Sequence, residues 1–216
     1  MITINLNEFI DKVQAYQSSS YALENLYSET LKRDDVWKNL AKINEQQTSD
    51  VILKFLNAWK CRLSYKCAPN LAKTLRDSSG LLTKLNCLSL QDVSLDFIIA
   101  DDNIQEAFRN IASVQAGRRT VGATATSKIM HMINPNFFVM SDENIRYGYG
   151  CCGNDLGYVN FMWRMKLFCD AIIKEYSDAR KEEKDFAFRN LASECKSAAP
   201  TLPKLLDEYN WVKYNP

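Results

Sequence analysis

Seven glycines and five prolines in 216 residues leave long stretches with nothing to interrupt a helix. A many-stranded sheet needs tight turns, and tight turns draw on those two residues. The chain therefore reads as all-α. Phe9, Ile10, Val13 and Tyr16 fall at helical spacing within 7–17. Further windows follow at 20–33, 35–46 and 50–63. In the last of these Ser49 is placed to cap, and Val51, Phe55 and Trp59 form one stripe. The pattern then predicts helices at 70–77, 102–114, 122–133, 142–148, 158–176, 178–196 and 201–209. The Ser78-Ser79-Gly80 stretch reads as a break.

The length suits a single helical domain over 1–216, divisible into two lobes around a shared core. No apolar run approaches the roughly 18 residues of a membrane span, so no membrane partner is expected. The start, Met1 to Phe9, has no basic stretch leading into an apolar core, and no signal peptide is read there. The seven cysteines include no Cys-x-x-Cys pair. They are read as reduced thiols of an intracellular protein, cytoplasmic or nuclear, with no metal and no cofactor.

The net charge of +1 conceals a segregation. Val51 to Arg76 holds Lys54, Lys60, Arg62, Lys66, Lys73 and Arg76 and no acid. Ala107 to Ser141 holds Arg109, Arg118, Arg119 and Lys128 and no acid. Asp92, Asp96, Asp101, Asp102 and Glu106 lie between them without a base. Solvated helix faces account for either basic segment alone. The pair points to a polyanion partner such as a nucleic acid.

The acid-free stretch 107–141 ends in a lone aspartate. "TVGATATSKIM" (120–130) is a turn entering a helix of small residues, preceded by Arg118 and Arg119. Small side chains at a helix start let backbone N–H groups approach a phosphate. After the "NPNFFVMSD" segment, Asp142 opens the next helix, where N–H groups and the helix dipole favour an ionised carboxylate.

This order resembles the helix-hairpin-helix DNA glycosylase superfamily, whose Leu-Pro-Gly-Val-Gly hairpin holds DNA phosphates. There a catalytic aspartate lies about twenty residues after the second glycine. Gly122 matches that glycine, and Asp142 follows it by twenty positions. "FLNAWKCR" (55–62), "SKIMHMINPNFFVMSDENIRYGYG" (127–150) and "GYVNFMWRM" (157–165) also resemble a mainly archaeal, 8-oxoguanine glycosylase-like group. The likeness spans roughly 50 to 170, with the motif and its aspartate-led helix at 110–150. It departs from the pattern at Thr120, where the first glycine would stand, and in the missing Leu-Pro. The lysine position of the bifunctional enzymes holds Thr124, and Lys128 comes one helical turn later. The iron–sulfur branch's cluster cysteines are also absent.

The resemblance implies a two-lobed helical bundle with a degenerate helix-hairpin-helix, flipping a base into a cleft and cleaving its N-glycosidic bond. Asp142 is the candidate catalytic acid, with a plain helix cap as the rival role. Lys128 is a candidate amine nucleophile, with a phosphate contact as its rival. Arg118, Arg119, Gly122, Lys60 and Arg62 are candidates for holding nucleic acid. His131, Arg146 and Trp59 are candidates for the substrate pocket. Three other functions remain open: a non-catalytic nucleic-acid-binding module, a helical protein-interaction module, and a hydrolase of free nucleosides.

Overall fold

Helix α1 (Leu6–Ser19) starts where the Asn5 side chain accepts the Glu8 N–H at 3.1 Å, and it buries the predicted stripe Phe9, Ile10, Val13 and Tyr16. The structure is a computed structural model and describes residues 5–19, 21–197 and 201–215. The helices that follow are α2 (Tyr21–Leu31), α3 (Asp34–Trp37), α4 (Glu45–Gln47), α5 (Lys54–Ala58), α6 (Ala68–Asp77), α7 (Ser79–Leu85), α8 (Leu95–Ala100) and α9 (Asp102–Ala112). A two-strand hairpin, β1 (Gln115–Ala116) and β2 (Arg119–Thr120), pairs Gln115 with Thr120 and Ala116 with Arg119. After it come α10 (Gly122–Ile133), α11 (Glu143–Gly148), α12 (Asp155–Arg180), α13 (Lys184–Glu194) and α14 (Leu202–Tyr214). The protein is all-α, and β1 and β2 are the only strands among the described residues.

Several boundaries differ from the sequence reading. The window 35–46 is not one helix; it breaks at Lys38 into short turns. Asn44, not Ser49, supplies the cap, in a box with Gln47 (2.8 and 3.2 Å). Ser49 lies inside a π-helical turn, Thr48–Leu53, that leads into α5. The expected helix 50–63 stops at Trp59, because Lys60 and Arg62 adopt left-handed backbone angles (φ 60° and 54°). The break at Ser78 ends α6 as expected, but it lasts one residue, and Ser79 and Gly80 already belong to α7.

The buried apolar side chains from α1 to α14 form one connected cluster. The long α12 runs through it with Tyr158, Phe161, Met162, Met165 and Phe168 inward, and α8, α9, α13 and α14 lie against it. Helices α1 and α14 close on each other: Phe9 stacks on Tyr209 (5.1 Å between ring centroids), and Tyr16 meets Trp211 edge-on (5.5 Å). Helix α10 packs against α9 and is buried continuously from Ala125 to Ile133. Among the described residues no helix is long and apolar enough to cross a membrane.

Candidate functional site

The site is built outward from α10. Gly122, the first residue of that helix, has φ +73°, a conformation that disfavours any side chain. The space where a Cβ would sit is open. The small residues beyond it have a different role from the phosphate approach read in the sequence: Ala125, Thr126 and Ser127 are buried and pack. The Ser127 hydroxyl lies 3.0 Å from the Ser141 carbonyl, to which it donates, and accepts the Ser141 N–H at 3.0 Å. That pairing sets Asp142 beside α10. Asp142 is extended (φ −95°, ψ −178°), caps α11 by accepting the Ile145 N–H through Oδ1 (2.8 Å), and accepts Asn215 Nδ2 through Oδ2 (3.0 Å).

Asp142 and Lys128 line the same cavity, of about 520 Å³, within the range of small-ligand sites. Trp59, Lys60, Tyr16, Trp211 and Asp207 also face it. The Lys128 ammonium lies 4.8 Å from the Trp59 ring centroid and 3.4 Å from the Trp59 carbonyl. The Trp59 indole N–H is buried without an acceptor among the described residues. A buried donor left unpaired costs about 1–3 kcal/mol.

Behind the cavity sits a cluster of buried charge. Lys204, with no exposed surface, donates to Glu24 (2.9 Å) and Glu208 (3.1 Å) and lies 3.8 Å from Asp207. Its ammonium also faces the rings of Tyr16 (4.6 Å), Tyr27 (5.0 Å) and Trp59 (5.4 Å). Burial alone would neutralise it, but Glu208, Tyr16, Asp207 and Glu24 outweigh burial and hold it charged. Burial pushes the Asp207 carboxyl up to about 7, against the pull of Lys204 and Lys128. A carboxyl raised on folding binds its proton preferentially in the folded chain. Its stabilisation is therefore full below about pH 4 and is lost as pH rises toward 7. Asp207→Asn, which cannot titrate, is expected to flatten unfolding free energy against pH across that interval. An unchanged slope in denaturant melts would locate the proton elsewhere in the cluster.

The other predicted residues scatter. Trp59 and Lys60 line the cavity; His131 and Arg146 do not. His131 is fully buried, with Nδ1–H donating to the Phe138 carbonyl (2.6 Å) and Nε2 accepting the Tyr27 hydroxyl (2.7 Å). Its burial pushes the imidazole down to about 3, so it stays neutral and serves packing. Arg146 is buried as a staple, donating to Thr124 Oγ1 (3.2 Å) and the Ser141 carbonyl (3.1 Å). Burial lowers its pKa, while Asp142 and Glu143 oppose that shift.

Arg119 donates to the carbonyls of Cys61 and Arg62. With Asn57, which pairs with Leu63 N (2.7 Å) and O (2.9 Å), it clamps the left-handed loop that sets Lys60 at the cavity rim. Arg118 is exposed at the hairpin turn and makes no hydrogen bond or ion pair among the described residues. Lys73 is paired with Asp77, and Arg76 donates to the Ile43 carbonyl. The hairpin packs on the turn Tyr65–Cys67, so Arg118 and Lys66 come from touching elements, with exposed Arg62 close by on the loop that Arg119 clamps.

Sequence reasoning missed the wall made by α14. Asp207 and Trp211 are four residues apart and share one face of α14, and Asn215 follows at the same spacing just past the helix end. That spacing was visible, but nothing local ties it to residues 128 and 142. Among the described residues no three His, Cys, Asp or Glu side chains cluster as a metal site would, and all seven thiols are free. Comparison with family models, curated proteins and solved structures finds no match to this chain.

Proposed function

We propose that the protein binds nucleic acid, takes a base out of the stack into the cavity beside Asp142, and cleaves its N-glycosidic bond. One observation carries this reading: Lys128 and Asp142, from different helices, open on a single cavity walled by Trp59 and Trp211. Aromatic walls suit a flat heterocycle. Cleavage of the bond leaves positive charge on the sugar, which the Asp142 carboxylate stabilises. Attack by an amine requires Lys128 to hand on its proton. Asp207, raised toward neutrality in the same cavity, is the group able to accept it and return it to the leaving base. The sequence likeness to helix-hairpin-helix glycosylases and the short hairpin between α9 and α10 support the same reading.

The test is incubation with oligonucleotides carrying a panel of damaged bases, followed by alkali to cleave abasic sites. Strand breaks are expected for at least one base. A specific observation favours a second reading: both Asp142 oxygens already hold hydrogen bonds, as in a structural cap. A non-catalytic binding module would bind with steep salt dependence and yield no breaks.

The two hairpin arginines are expected to behave differently. Arg118→Ala should lower the slope of log affinity against log salt by about one unit and leave melting unchanged. Arg119→Ala should lower the melting temperature, because it frees the 60–62 loop. Filter binding across a salt series, beside thermal melts, reads both. Equal slopes for wild type and Arg118→Ala would remove the hairpin turn from the interface.

A further inference from the structure

Asn215 follows the last turn of α14, its N–H held by the Trp211 carbonyl at 2.9 Å. Its side-chain amide faces two partners in a fixed sense. Oδ1 accepts from Asn144 Nδ2 at 2.8 Å, so Nδ2 is the end that donates to Asp142 Oδ2 at 3.0 Å. The amide cannot be turned over without setting donor against donor on one side and oxygen against carboxylate on the other. The neighbouring residue is locked as well. The Tyr214 ring lies over Gly148, where any side chain would collide with it, and meets Tyr149 edge-on at 5.4 Å. Tyr149 in turn donates to Asn210 on α14 (2.7 Å). Helices α11 and α14 are therefore joined along their length, and that joint ends at the carboxylate.

We propose that Asn215 is a positioning residue: through its amide N–H it fixes the Asp142 carboxylate in the plane that caps α11 and faces the cavity. Oδ1 is already tied to Ile145 N–H, so the orientation of Oδ2 depends on Asn215 alone among the described side chains. The same helix brings Asp207 and Trp211 to the cavity, so α14 supplies both a wall and the restraint on the acid. The catalytic consequence rests on the reading of Asp142 given above; the restraint itself does not.

Two variants and two measurements test it. Asn215→Ala removes the amide. Asn215→Asp keeps its shape and the bond from Asn144 but sets an oxygen against Asp142. Hydrogen exchange at the Ile145 amide reads the restraint directly and is expected to speed up several-fold in both variants. On an oligonucleotide carrying a base that the wild type removes, the single-turnover rate is expected to fall about 10- to 100-fold. Asn215→Asp should lose at least as much as Asn215→Ala, with the Kd for that oligonucleotide unchanged. Packing alone would let the isosteric Asp rescue both measurements, and that result would overturn the proposal. So would unchanged exchange at Ile145 in both variants, or full excision rates beside an inactive Asp142→Asn. If the wild type removes no base, the glycosylase reading fails, and exchange at Ile145 alone then decides for or against the restraint.

Discussion

If the proposed glycosylase reading holds, Asp142→Asn is expected to lower base excision by about two to four orders of magnitude while the protein stays folded and bound to DNA. The asparagine carbonyl can still accept the Ile145 N–H, and Asn caps a helix about as well as Asp. The penalty to stability is local, since the new amide meets the Asn215 amide donor to donor. That costs on the order of 1 kcal/mol, a few degrees in melting temperature at most. The charge facing the cavity is lost outright, and with it the stabilisation proposed for a cationic sugar. Alkali-cleavage rates, gel-shift affinity and a thermal melt on one preparation separate these effects. Undiminished excision by a well-folded Asn variant would leave Asp142 as a cap and nothing more. Lys128→Met, assayed beside it with borohydride trapping, distinguishes an amine nucleophile from water: a covalent adduct present in the wild type should disappear.

The largest effect on stability is expected at Lys204. Lys204→Met removes the one ammonium that Glu24, Glu208 and Asp207 share and leaves those carboxylates buried. Orphaning buried charge of this kind costs about 3–5 kcal/mol, or about 6–20 °C in melting temperature for a chain of this size. The deficit should shrink as pH falls toward 4, because protonation relieves the carboxylates. It should be greatest above pH 7, where Asp207 ionises as well. Adding Glu24→Gln and Glu208→Gln to Lys204→Met should recover most of the loss. A Lys204→Met protein that melts within two or three degrees of wild type across this pH range would show that water reaches the cluster.

What the sequence disclosed and what it hid have physical causes. Helix α10 was legible because its ends are chemical: Gly122 opens it, and Asn134-Pro135 closes it. Asp142 announced α11 through its cap. The end of α5 at Ala58 was not legible, because no glycine marks the left-handed Lys60 and Arg62. Their conformation is imposed by Asn57 and by Arg119, nearly sixty residues away. Lys204, Asp207 and Glu208 carry no local signal that sets them apart in the sequence. Only the tertiary fold turns them inward, against α1 and α2. His131 stood out as the sole histidine, yet rarity in composition carries no information about exposure, and the residue is core.

The closure of α1 on α14 has a kinetic consequence. The cavity takes Tyr16 from one end of the sequence and Asp207, Trp211 and Asn215 from the other. Contacts separated by almost two hundred residues form only after a large loop has closed, and such closures are slow. During synthesis α10 and α11 leave the ribosome while α14 is still being made. A nascent chain that has already buried His131 therefore still lacks the cavity's second wall. On the proposed reading, activity should appear in a late step of refolding, after most helical signal has returned.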